Sequence, residues 1–205
     1  MRIRYLALGD SYTIGEGVEP HARWPVQLAH ALRNDGLDVA EPRIIAVTGW
    51  TTAELAAAVR DAQPLGHWGF VTLGVGVNDQ YRGHGAASYR EDLARLLDTA
   101  MALAAGRNDR VMMLSIPDWG VTPFARDEGR DAASVGAQID EFNTIAQRLC
   151  EVRRIAFVDI TRASREDGGR DTLLAGDGLH PSAAMYSRWT ALALPVAHRL
   201  LGETV

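Results

Sequence analysis

Cysteine is almost absent: the chain has one, Cys150, in 205 residues. One cysteine excludes an internal disulfide, and no Cys/His spacing matches a zinc site. Ile139, Phe142, Ile145 and Leu149 recur at helical spacing around it, so Cys150 reads as a small buried apolar residue rather than a reactive thiol. Long apolar runs are absent too, so no segment reads as a membrane span. No basic-then-apolar leader precedes the core-like sequence that begins at Ile3, which reads as a cytoplasmic chain. Excess positive charge is missing. The formal net charge of −5 argues against a nucleic-acid-binding surface. No internal repeat, low-complexity tract or linker interrupts the sequence. At 47% hydrophobic and 23% charged residues, it has the composition of a folded chain, and its length suits one domain over residues 1–205.

What is present is an alternation of strand and helix patterns. Apolar strand candidates are Ile3–Leu8, Arg43–Val47, Phe70–Val75, Val111–Ile116 and Ile155–Ile160. The segment Phe70-Val71-Thr72-Leu73-Gly74-Val75 alternates little, as expected for a strand covered on both faces. Between the strands lie helical patterns. Trp24, Leu28, Ala31 and Leu32 share one face, with Pro25 near the start and Gly36 beyond the end. Thr51-Thr52-Ala53-Glu54 and Ser88-Tyr89-Arg90-Glu91 are capping-box patterns. Ser134 precedes a fourth helix and Pro181 begins the last, in which Pro195 is expected to cause a kink or a stop. Five βα units in series predict an α/β fold: a three-layer α/β/α domain with a five-stranded parallel sheet.

Ligands of such sheets bind beyond the carboxyl ends of the strands. The first strand ends in ALGDSYTIGEG, residues 7–17, which places Ser11 in a turn with Gly9, Gly15 and Gly17. This loop could cradle a phosphate or present a nucleophile. The phosphate reading fails on detail. The loop has no lysine for a Walker-type site, and Gly15 and Gly17 supply only part of a dinucleotide fingerprint. A G-x-S-x-G elbow is also missing. A serine at a strand-to-turn junction remains, with Asp177 and His180 near the carboxyl end. Serine needs a base and histidine needs an orienting group, and these three residues supply that set.

Four blocks now stand in order, each after a strand candidate except the last, which follows a longer polar loop: Gly9-Asp10-Ser11-Tyr12 with Gly15; Gly49; Gly76-Val77-Asn78-Asp79; and Asp177-Gly178-Leu179-His180. Together they resemble the SGNH hydrolases, also called GDSL esterases/lipases, whose fold is flavodoxin-like. Tyr12 stands where the family name has leucine, a change expected to reshape the pocket rather than the chemistry. The resemblance implies Ser11 as nucleophile, His180 as base and Asp177 as its orienting partner. It also implies an oxyanion hole made by the backbone N–H groups of Ser11 and Gly49 and the Asn78 amide. Gly49 lies just before the capped helix at Thr51, where negative charge is favoured. Asp10 and Asp79 are expected to bond backbone N–H groups. Trp50, Tyr81 and Trp119, just past strand ends, are candidate pocket walls. His84 follows the Asn78 loop and is the alternative base. The other four histidines that precede or follow, His21, His30, His67 and His198, lie in no motif.

The resulting expectation is a serine esterase for short-chain carboxylic esters. It acts on a small-molecule ester and needs neither metal nor cofactor. The loops over residues 117–133 and 161–176 are polar and offer no continuous apolar trench for a long acyl chain. An acyltransferase or thioesterase could use the same triad. A non-catalytic flavodoxin-like domain holding a flavin phosphate is the reading from a different class, and a purified flavin binder would be yellow.

Overall fold

The computed structural model describes residues 2–167 and 169–202. Five strands form one sheet: β1 (Tyr5–Gly9), β2 (Arg43–Ala46), β3 (Phe70–Gly74), β4 (Val111–Leu114) and β5 (Ala156–Val158). All four pairings are parallel and the order is β2-β1-β3-β4-β5. This is the doubly wound order, in which the chain reverses direction across the sheet beside β1. β1 and β4 are buried along their whole length, so their apolar runs are explained by helices on both faces.

The helices are α1 (Ser11–Ile14), α2 (Trp24–Asn34), α3 (Thr52–Asp61), α4 (Val77–Tyr81), α5 (Ala86–Leu103), α6 (Pro123–Asp127), α7 (Ala132–Arg153), α8 (Thr161–Asp167) and α9 (Ala183–Gly202). α2 packs on α9, and α3, α5 and α7 pack in series. These two groups form the outer layers. Trp24 and Trp189 fill one, and Tyr89 stacks on Phe142 in the other with ring centroids 4.5 Å apart. Among the described residues, no helix is long and apolar enough to cross a membrane.

All five strand candidates form strands: β1 starts two residues later than expected and runs one further, to Gly9, and the other four are shorter by one to three residues. The helix signals fare unevenly. Thr51 makes the expected capping box with Glu54. Ser88 does not cap: α5 begins at Ala86 after an extended Gly85, so Ser88 lies inside the helix. Asp131 rather than Ser134 caps α7, its carboxylate accepting the Ser134 N–H at 2.9 Å. Pro181 lies before α9, in a single bridge with Leu174. Pro195 does not end α9, which runs on to Gly202. Pro195 and Ala191, whose carbonyl loses its partner, are both exposed, while Trp189, Ala193, Ala197 and Leu201 stay buried on the opposite face. Water can satisfy the freed carbonyl, so the packed face carries the helix through.

Candidate active site

The carboxyl ends of β2, β1 and β3 are neighbours, and their loops carry Gly49, Ser11 and Asn78 respectively. Ser11 is the first residue of α1. Asp10 caps this short helix with Oδ1 accepting the Tyr12 N–H at 3.0 Å, and Gly15 ends it in a left-handed conformation (φ 72°). The turn folds tightly over the sheet. A Cβ at Gly9 would stand 2.1 Å from Thr13 Oγ1 and 2.5 Å from the Gly74 carbonyl, so only glycine lets the chain reverse there.

Gly49 also has a positive φ, 88°. Its carbonyl accepts a hydrogen bond from Arg82 Nη2 at 2.5 Å, and Arg82 also bonds Glu54 in the cap of α3. Asn78 is held from the same side, its Nδ2 donating to the Trp50 carbonyl at 2.9 Å. Asp79 ties the two loops together, with Oδ2 accepting the N–H (2.9 Å) and hydroxyl (3.0 Å) of Thr52. The Gly49 and Asn78 loops are thus fastened to each other by Asp79 and Arg82.

His180 is buried and Asp177 is partly exposed. His180 Nδ1 and Asp177 Oδ2 are 2.6 Å apart. Asp177 Oδ1 accepts the N–H groups of Leu179 (2.9 Å) and His180 (3.0 Å). Burial works to raise the Asp177 pKa, but these bonds from His180 and the backbone outweigh it and hold the carboxyl below its ordinary value. Tyr12 packs on the imidazole with centroids 5.4 Å apart and on Trp189 at 5.9 Å. The tyrosine in place of leucine therefore supports the histidine ring.

Ser11, Gly49, Asn78 and His180 line one cleft of about 170 Å³. Its apolar wall comes from Tyr12, Tyr81, Trp119, Phe124 and Leu179. Ser11 Oγ makes no hydrogen bond among the described residues, so its hydroxyl is uncommitted. Of the three expected aromatic walls, Tyr81 and Trp119 line the cleft. Trp50 does not: it contributes only its carbonyl, to Asn78. His84 also lies away from the cleft, its Nδ1 3.7 Å from Asp79 Oδ1. Phe124 and Leu179 were missed. Leu179 stands between Gly178 and His180, and Phe124 sits in the 117–133 segment, but no local spacing marks either as a wall. Among the described residues, no three His, Cys, Asp or Glu side chains are grouped to hold a metal ion. Cys150 is fully buried and its thiol is pushed up to about 12 by that burial, which fits an inert core residue.

Asp10 has a separate consequence for stability. Burial raises its carboxyl from the ordinary 3.8 to about 7, with the Tyr12 N–H opposing and the Asp79 charge adding to the rise. The folded state therefore holds a proton that the unfolded chain releases. This contribution is present below pH 4 and is lost as pH rises towards 7. Asp10→Asn keeps the cap but cannot ionise. Thermal unfolding from pH 5 to 8 should show the wild type losing stability relative to Asp10→Asn, by roughly 2–4 kcal/mol at most. Equal pH slopes would show that Asp10 ionises freely in the fold.

The five-stranded parallel sheet thus carries a serine, a glycine and an asparagine at three adjacent strand ends. Residues 7–188 match the model of the GDSL-like Lipase/Acylhydrolase family, and the chain belongs to that family. It is accordingly a carboxylic ester hydrolase of the GDSL/SGNH type. Solved structures share the fold. TesA superposes with a TM-score of 0.77 at 21% identity, over 97% of this chain and 99% of that one. A lipase/acylhydrolase from Enterococcus faecalis gives 0.74 at 23% identity, over 100% of both chains. The psychrotrophic esterase EstA from Pseudoalteromonas sp., which has also been solved inhibited by monoethylphosphonate, gives 0.64 at 16%, over 98% of this chain and 94% of that one. No curated protein matches the chain in sequence.

Proposed function

We propose that this protein hydrolyses short-chain carboxylic esters through an acyl-serine intermediate on Ser11. The observation that carries the reading is the 2.6 Å Asp177–His180 pair in the cleft that also presents Ser11, Gly49 and Asn78. Asp177 accepts at Nδ1–H and leaves Nε2 as the free base. Ser11 Oγ attacks the acyl carbonyl and Nε2 takes its proton. The negative oxygen is met by the N–H groups of Ser11 and Gly49 and by Asn78. Trp50 takes one Asn78 amide hydrogen, which fixes the side chain and leaves the other for the oxyanion. The intermediate collapses and the leaving alcohol receives the proton from Nε2. Water then gives a proton to Nε2 as it attacks the acyl carbon, and the second tetrahedral intermediate collapses to release the acid while Nε2 returns that proton to Ser11 Oγ.

The short-chain preference rests on the small cleft and on the rings of Tyr81, Trp119 and Phe124 that line it. A substrate panel of p-nitrophenyl esters and thioesters, from acetyl to dodecanoyl, tests the reading. The highest kcat/KM is expected at acetyl to butyryl. A rise continuing to dodecanoyl would overturn the short-chain reading, and faster thioester cleavage would favour a thioesterase. An organophosphonate, the inhibitor class seen with EstA, should modify Ser11 alone.

Asn78→Ala removes one oxyanion donor. It should lower kcat by roughly 10²- to 10³-fold with KM little changed. A loss confined to KM would mean that Asn78 binds the ground-state ester instead.

A further inference from the structure

A second cavity of about 320 Å³ lies beside the catalytic cleft. Tyr81 and Trp119 line both spaces, so their rings form the partition between them. The rings meet edge to face, with centroids 5.3 Å apart at 70°. Trp119 is buried, and its indole Nε1–H donates to Gln80 Oε1 at 2.7 Å. Gln80 Nε2 in turn donates to Gln138 Oε1 on α7 at 2.8 Å. Indole N–H can only donate, so Gln80 must present its oxygen to Trp119 and its NH₂ to Gln138. The polarity of the chain of bonds is fixed from one end to the other.

We propose that Gln80, braced by Gln138, is a positioning residue that holds Trp119 as the end wall of the acyl site, and that this wall sets the acyl-length limit. The inference rests on the esterase reading and deepens it. A buried indole needs some acceptor wherever it lies. What distinguishes this one is its place: the relay terminates on the ring that closes the catalytic cleft. Trp119→Ala would join the cleft to the larger space, whose other walls include Val135 as well as polar groups. Methylenes of a longer acyl chain could then leave water there.

The test is the kcat/KM ratio of p-nitrophenyl octanoate to p-nitrophenyl butyrate. Trp119→Ala should raise the ratio roughly tenfold or more over wild type, because several extra methylenes become buried. Gln80→Met has similar length but only a weak thioether acceptor, and should raise it by about threefold, since the ring is loosened rather than removed. Gln80→Glu keeps an acceptor towards the indole and should stay closer to wild type than Gln80→Met. An unchanged ratio in the folded Trp119→Ala and Gln80→Met proteins, or a parallel fall on both esters, overturns the inference. If Trp119→Ala fails to fold, Gln80→Met decides it. Wild-type protein that cleaves neither ester would instead overturn the esterase reading and the inference with it, a result distinguishable from active enzyme with an invariant ratio.

Discussion

Ser11→Ala is expected to lower kcat/KM for p-nitrophenyl butyrate by roughly 10⁴-fold or more while leaving the fold intact. Among the described residues, the aliphatic hydroxyls lining the cleft with His180 and Asn78 are those of Ser11 and Thr48, and Thr48 is engaged with Glu16; the other hydroxyls there are the weakly nucleophilic phenols of Tyr12 and Tyr81. The structural argument concerns what alanine would disturb. Ser11 is buried, but its Oγ makes no hydrogen bond among the described residues. The bonds that shape the turn use other atoms, namely the Asp10 carboxylate and the Ser11 carbonyl, which receives the N–H groups of Gly15 and Glu16 at 3.0 Å. Alanine is also a good residue at the start of a helix. Thermal unfolding should therefore show a midpoint within a few degrees of wild type, measured beside the kinetics. Residual turnover from the oxyanion donors and binding alone should survive at a low level. Near-wild-type activity in a folded Ser11→Ala protein would remove Ser11 from the chemistry. Loss of activity together with loss of fold would assign it a role in the turn.

The strands and the strand-end loops were legible because their signals are local. A run such as Val111–Leu114 is apolar throughout only when helices cover both faces, and the rule that ligands gather at carboxyl ends then selects the loops. Gly9 was legible as a turn glycine, but the reason for it, Thr13 packing back onto the strand end, is tertiary. Helix starts were less legible. Ser88 and Ser134 have the right neighbours for caps, yet Gly85 and Asp131 begin their helices, because the pairs Ala86-Ala87 and Ala132-Ala133 before the serines are strong helix formers and carry each helix start back. The cleft wall was half legible. Tyr81 and Trp119 follow strand ends closely. Phe124 and Leu179 reach the cleft through the folding of the 117–133 segment around α6 and through the Phe124 N–H to Gly178 carbonyl bond at 3.1 Å, which no spacing rule anticipates. The link from Trp119 through Gln80 to Gln138 spans 39 and then 58 residues, and nothing local announces it.

His180→Ala and Asp177→Asn should also cost several orders of magnitude, and the pair separates the base from its orienting group. Among the described residues, His180→Ala removes the only imidazole that lines the cleft. His84 is no substitute, since its ring lies beside Asp79, away from Ser11. Asp177→Asn is the finer test. Oδ1 of Asp177 accepts two backbone N–H groups, and an asparagine oxygen can keep both bonds, so the turn should hold. Its amide nitrogen would then face Nδ1 where Oδ2 stood at 2.6 Å. An amide there donates, which forces the imidazole proton onto Nε2. In that tautomer the histidine has no lone pair to offer Ser11, and the imidazolium formed later loses its counter-charge. A fall in kcat of roughly 10⁴-fold with little change in KM is therefore expected, together with near-wild-type thermal stability at neutral pH apart from the lost Asp177–His180 hydrogen bond. The hydrogen bonds that hold the Asp177 pKa down keep its carboxylate charged throughout the neutral range, so the contrast with asparagine should persist from pH 6 to 8. A loss of less than tenfold on Asp177→Asn would mean that another group fixes the ring. Packing of Tyr12 against the imidazole would then be the next contact to test, through Tyr12→Leu.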